Sequence, residues 1–261
     1  MKVPFVLGLL VLPFTLLGAD PGAQLSAGSH RTRVLLVTGV DYPGHLWRQT
    51  APVLAEALRK DPRLEIFTVE DPHFLDSGAL AGYDVVVLHW QNWQQPGPGE
   101  RARENLRQFV AGGKGVVLVH FACGEWHDEW PAFGQVAGRV WAGPNVHQHD
   151  PYGPFRVELA KPQHPILQGL SDFDTQDELY TCLSGDTPIE ILAQAKSKAD
   201  GKYYPMAFIS TCAKGRTFHC TLGHDVKALS VESVQELYRR GCAWAAGLPP
   251  LRADSVSPGK N

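Results

Sequence analysis

Three segments of this chain set a histidine among aromatic, amide or carboxylate side chains just beyond a short apolar run. Asp41-Tyr42-Pro43-Gly44-His45 follows the run Arg33–Thr38, and His89-Trp90-Gln91-Asn92-Trp93 closes Asp84–His89. His120-Phe121-Ala122-Cys123-Gly124-Glu125-Trp126-His127-Asp128 closes Gly115–His120. Imidazole changes charge near neutrality, and its neutral form binds divalent metals, so it suits proton transfer or ligation. Trp and Tyr beside polar groups suit the apolar face of a sugar ring. A single His at a strand end is more often a hydrogen-bonded structural residue. Three such sets delivered to one edge point instead to a site, which His45, Trp90, Gln91, His120, Glu125 and Trp126 are expected to line.

Further along the chain, Asn145-Val146-His147-Gln148-His149-Asp150 is the densest polar cluster. On a strand, His147 and His149 would share one face, as some metal sites require. Pro144 and Pro151 flank the cluster and favour a loop, where hydrogen bonding alone accounts for it equally well. His147 and His149 are the expected ligands of a divalent metal such as zinc. Asp177-Glu178-Leu179-Tyr180 adds two carboxylates beside a tyrosine, and Gly223-His224-Asp225 follows another apolar run. A His next to an Asp can be a general base with its orienting carboxylate, although adjacent side chains rarely face each other. The five cysteines form no CxxC, which removes the commonest zinc-finger and redox readings, and an odd count leaves at least one unpaired within a monomer.

These residues need a scaffold that ends several strands at one edge. Arg33–Thr38 reads as a strand buried on both faces, and Leu64–Val69, Asp84–His89 and Gly115–His120 as further strands. Leu46–Leu58, Gly99–Val110 and Pro131–Ala137 read as helices between or after them. The alternation predicts an α/β fold with a mostly parallel sheet, which binds ligands beyond the carboxyl ends of its strands. Phe155–Leu159, Ile189–Ala195, Met206–Ser210 and Thr217–Leu222 predict mixed or antiparallel strands added to that sheet, and Val231–Ala246 a closing helix.

At 261 residues, with 44% apolar and 20% charged side chains, the chain fits one large globular domain. A formal charge of −3 without any Lys/Arg block argues against nucleic acid as a partner. Lys2, the apolar Val3–Gly18 and the small Ala19 read as a signal peptide over residues 1–19, so the protein is expected to be exported, to the periplasm or outside the cell. The apolar run is short for a membrane span, which needs ~20 residues, so none is expected after processing. A linker over 20–31, one domain over 32–248 and a disordered tail over 249–261 complete the expected organisation.

Four motifs in order resemble the ThuA-like (trehalose utilisation) family. They are Val119-His120-Phe121-Ala122; His164-Pro165-Ile166 with Gly169-Leu170 and Asp177-Glu178-Leu179-Tyr180; Gly215-Arg216-Thr217-Phe218 with Leu222-Gly223-His224-Asp225; and Arg240-Gly241 with Trp244-Ala245-Ala246-Gly247. The resemblance implies a flavodoxin-like three-layer sandwich related to class I glutamine amidotransferases. It also implies chemistry on disaccharides or 3-keto sugars, of isomerase or hydrolase/lyase type. His120, Glu178 and His224 are then the expected catalytic residues and Asp177 a binding residue, with a small-molecule sugar as partner and homo-oligomerisation left open. Overlaying the amidotransferase nucleophile turn on Val119–Gly124 puts Ala122, not Cys123, at the nucleophile position. A non-catalytic carbohydrate-binding protein and a cysteine hydrolase are the alternatives.

Overall fold

In a computed structural model, which describes residues 31–251 apart from 93, 127–128, 142 and 144–147, the apolar runs form the strands expected of them. The chain proceeds through β1 (Thr32–Val37), α1 (Trp47–Arg59), β2 (Leu64–Val69), β3 (Val85–Leu88), α2 (Glu100–Ala111), β4 (Gly115–Val119), α3 (Phe133–Ala137) and β5 (Val140–Trp141). It continues with β6 (Gly153–Leu159), β7 (Phe173–Asp177), β8 (Leu183–Ser184), β9 (Glu190–Lys196), β10 (Tyr203–Cys212), β11 (Gly215–Cys220), α4 (Val226–Leu229) and α5 (Glu232–Ala245). Two 3-10 turns, Pro72–Asp76 and Gly78–Gly82, stand between β2 and β3 in place of a helix. The expected signal segment, all of the linker but Arg31, the tail from residue 252 and His147 lie outside the described residues. Among the described residues no helix is long and apolar enough to cross a membrane.

Nine strands share one sheet in the order β2-β1-β3-β4-β11-β10-β9-β6-β7. The first five run parallel, and the remaining four alternate antiparallel. The central strands are buried on both faces because side chains alternate across them. Val34, Leu36, Val85, Val87, Val117 and Val119 pack toward α1 and α5. Leu35, Val37, Val86, Leu88, Val116 and Leu118 pack toward α2 and α3. This is the flavodoxin-like α/β sandwich, extended by antiparallel strands. Of the second-half strands, β11 is not an addition: it pairs in parallel with β4 as the fifth strand of the core, and antiparallel with β10. The edge strand β7 escapes sequence reading because its residues, FDTQD, are mostly polar.

The antiparallel half curls back over the core. Four strand spacings separate β11 from β7 along the sheet, about 19 Å if it were flat. Yet the carboxylate of Asp177, at the end of β7, accepts a hydrogen bond from the backbone N–H of Gly223 at 2.6 Å, just past β11. The carboxyl ends of the parallel strands therefore meet the end of β7, and the loops between them share one space.

The closing helix lies close against β11 at Gly241, where a Cβ would stand 2.3 Å from the Phe218 ring. Gly241→Ala is expected to destabilise the protein by about 1–3 kcal/mol through overpacking. Urea unfolding checks this, and an unchanged midpoint would mean that the helix can withdraw without cost.

Candidate active site

Among the described residues, two at the carboxyl ends of the parallel strands carry backbone strain. Val40, after β1, has φ of +56°, and His120, after β4, has φ of +46°. Side-chain-bearing residues rarely adopt this left-handed region, and such strain persists where the surroundings enforce it, commonly at functional sites. His120 opens a 3-10 turn (His120–Gly124). The strained residue of the turn after β4 is thus a histidine, two positions before the Ala122 that the amidotransferase overlay indicates. Cys123 is fully buried, its Sγ donates to the His120 carbonyl oxygen at 3.4 Å, and burial pushes its thiol well up. It lacks both the exposure and the depressed pKa of a nucleophile.

The His120 ring is fixed at both nitrogens. Nδ1 lies 2.6 Å from the Thr221 carbonyl oxygen, which can only accept, so Nδ1 carries the proton. Nε2 lies 2.8 Å from the buried Tyr180 hydroxyl. Neither Tyr180 nor Thr221 was singled out from the sequence as a site residue. Tyr180 had the signal of its DELY context, whereas Thr221 acts through its backbone and leaves none.

Glu178 stands at the centre. Its Oε2 lies 3.5 Å from His120 Nε2 and 3.3 Å from His224 Nδ1, the latter contact lacking hydrogen-bond alignment. Its Oε1 lies 3.7 Å from His149 Nε2. His45 completes the group, its ring centroid 5.0 Å from that of His120 and 5.1 Å from that of His224. One ligand atom from each of His45, His120, Glu178 and His224 can be chosen so that all four lie within 4.8 Å of one another. Burial pushes Glu178 up, but the paired His120 and His224 outweigh it and hold the carboxyl far below its ordinary range. Burial lowers His224, and Glu178 more than reverses this, leaving it raised. Burial and the facing His120 and His224 push His45 down to about 2, so its ring stays neutral with a lone pair to offer.

Asp177 positions this group instead of facing a ligand. It is fully buried, and its oxygens accept from the backbone N–H of Glu178 at 2.8 Å, of Gly223 at 2.6 Å and of His224 at 3.3 Å. Gly223, at φ +123°, makes the turn that presents His224. Asp225 does not pair with His224. It accepts from the N–H of Ala228 at 2.8 Å, capping α4, and from the Tyr152 hydroxyl at 2.8 Å.

The histidines border a cavity of ≈30 Å³ that Gln91, His89, Trp90 and Phe121 also line. That space admits a water, an ion or the reacting end of a molecule, not a sugar ring. On its far side His45 also borders a groove of ≈560 Å³, lined by Tyr42, Leu46, Arg48 and Gln94. Trp90 and Trp126 are buried and packed edge to face at 5.6 Å, and Trp126 Nε1–H donates to the Pro98 carbonyl at 2.8 Å. Glu125 is buried beside Trp90, and burial pushes its carboxyl up to about 8. Trp126 and Glu125 thus lie behind the cavity wall. His149, expected as a metal ligand with His147, stands beside the four-residue group but outside it. Its Nδ1–H donates to the Asp150 carbonyl at 2.8 Å, which leaves Nε2 free to accept.

A family model described as ThuA, trehalose utilisation, matches residues 33–245. A ThuA-like protein of Parabacteroides merdae superposes with a TM-score of 0.74 at 24% identity, covering 85% of this chain and 92% of that one. A ThuA-like protein of Bacteroides uniformis gives 0.66 at 17% identity, covering 89% and 99%. A β-galactosidase of Rahnella sp. R3 gives 0.59 at 14% identity, covering 84% of this chain but 32% of that one, a likeness of fold alone. No curated protein matches the sequence.

Asp177→Asn turns one acceptor oxygen into a donor facing backbone N–H groups. It is expected to cost about 1–3 kcal/mol of stability and to lower the pKa of His224, which NMR titration reads directly. Glu125 gives a pH signature. Its folded pKa of about 8 exceeds its ordinary 4.5, so the folded state holds the extra proton between those values. Its contribution to stability is therefore full below pH 4.5 and falls by up to about 1.4 kcal/mol per pH unit as pH rises toward 8. Subtracting the stability of Glu125→Gln from that of the native protein across this range isolates the effect, and a flat difference refutes it.

Proposed function

The chain belongs to the ThuA family, and from that premise we propose that it is an enzyme acting on the carbonyl form of a sugar, a 3-keto sugar or disaccharide derivative, with a divalent cation in its histidine cavity. The observation that carries this reading is the gathering of His45, His120, His224 and Glu178, from four separate segments, with ligand atoms within 4.8 Å of one another beside a cavity that the three histidines line. Both ring nitrogens of His45 are buried without a hydrogen-bond partner, an arrangement costly unless something else pairs them. The Nδ1–H of His120 is held by a backbone carbonyl, the usual support for a metal-binding imidazole. Three imidazole nitrogens and one carboxylate oxygen suit zinc. Bound there, a divalent cation would polarise a carbonyl oxygen.

The chain's own groups would do the rest. His149 Nε2 faces the cluster with its lone pair free and takes the proton from the carbon beside the carbonyl. Tyr180 holds the His120 ring in its orientation. The outer groove, with the aromatic Tyr42 and the exposed Leu46, receives the remainder of the sugar. Export to the envelope, supported by Lys2 and the apolar Val3–Gly18, belongs to the same reading.

Elemental mass spectrometry of the purified protein and turnover of methyl 3-keto-α-glucoside test the assignment together. The native protein is expected to hold about one equivalent of a divalent metal. His120→Ala and His224→Ala are expected to lose metal and turnover, and His149→Ala turnover alone by about 100-fold or more. Sugar binding without metal or turnover in the native protein would replace the enzyme by a carbohydrate-binding protein.

A further inference from the structure

The catalytic reading leaves one polar side chain at the cavity without a task. Gln91, just past β3, is 4% exposed and lines the same space as His45, His120 and His224. Both of its polar atoms, Oε1 and Nε2, are buried without a hydrogen-bond partner. The polar side chains of Thr38 and Asn92 are engaged elsewhere. Thr38 Oγ1 donates to the His89 carbonyl and accepts from His89 Nδ1, each at 3.0 Å. Asn92 donates to the Asp41 carbonyl at 3.2 Å and accepts from the Gln94 N–H at 2.7 Å. An unpaired buried amide costs several kcal/mol, so a partner from outside the fold is called for. Amides are poor ligands for zinc beside three imidazoles and a carboxylate, and Gln91 lies outside the four-residue group.

We propose that Gln91 is a specificity-determining residue whose carboxamide reads a hydroxyl on the carbon next to the substrate carbonyl, which restricts the site to α-hydroxy carbonyl sugars. The inference rests on the carbonyl-sugar reading above. A carboxamide offers a donor and an acceptor together, and a hydroxyl is the small group that answers both. The ≈30 Å³ cavity admits only the reacting end of a sugar, so few of the sugar's polar groups can reach the amide. With the carbonyl oxygen at the histidines, the adjacent hydroxyl is the next polar group along the molecule and is the one offered to the amide that lines the same cavity. A site built to hydrogen-bond a hydroxyl rejects the analogue lacking it, because its own buried polar groups are then left unpaired.

The near-isosteric Gln91→Met removes both hydrogen-bonding atoms and keeps the volume. Three readouts apply: melting temperature without ligand, metal equivalents, and affinity for methyl 3-keto-α-glucoside with its 2-deoxy and 4-deoxy counterparts. The variant is expected to melt at or above the native temperature, to keep its metal and to bind the full keto sugar about tenfold or more weakly. Toward one of the two deoxy sugars, native protein and variant are expected to bind alike. A lower melting temperature would make Gln91 a structural residue, and metal loss would make it a ligand; either overturns the proposal. Equal weakening toward all three sugars, or none, removes Gln91 alone and leaves the carbonyl-sugar reading in place. Native protein that binds none of the three sugars removes both.

Discussion

The buried carboxylate of Asp177 is the contact on which the site depends. It sits at the end of an edge strand and holds three backbone N–H groups, two of them in the turn after β11. Those two elements lie at opposite ends of the antiparallel half, so the bond closes a curl in the sheet. Burial raises the pKa of Asp177, while His120 and the three N–H groups oppose that rise. What the carboxylate secures is placement. Glu178 follows it directly and is aimed back over the parallel strand ends, and His224 is fixed through its own N–H. Without this bond the carboxylate and the histidines would belong to different regions of the sheet.

The parallel half was legible in the sequence because strands buried on both faces leave unbroken apolar runs such as VVVL and GVVLV. The strand-end rule then pointed to His45 and His120, and short motifs to Glu178 and His224. The grouping was not legible. His147 and His149 drew attention as a local HxH pair, whereas the structure gathers ligand atoms from positions 45, 120, 178 and 224. Local spacing cannot report a curl that brings β7 onto β11, and β7 itself has too few apolar residues to register as a strand. Indole suits a sugar platform, but it also fills large core volumes: Trp126 packs in the interior, edge to face with Trp90, which itself borders the cavity.

The turn after β4 shows how one scaffold serves different chemistry. A sharp, strained strand-to-helix turn projects its residue into the space above the sheet, a device that suits an exposed nucleophile. In this chain the strained residue of the turn, at φ +46°, is His120, two positions before the Ala122 of the amidotransferase overlay. The residue that could have been a nucleophile, Cys123, turns inward and is sealed in the core. Val40 repeats the strain at the end of β1, so two walls of the same cavity are held in conformations the backbone would not choose alone.

The electrostatics of the cavity are those of one carboxylate set among imidazoles. Glu178 is drawn far below the ordinary carboxylate range by two imidazoles, and His224 is drawn up by Glu178. The protein alone meets this demand with a proton on His224. His45 cannot share in it, since burial and two neighbouring imidazoles keep its ring neutral. A proton on His224 answers the charge of Glu178 but leaves both nitrogens of His45 unpaired. A divalent cation in the proton's place would satisfy the carboxylate and draw on a lone pair from each of the three rings, His45 included. The unpaired ring is where the two occupants would differ.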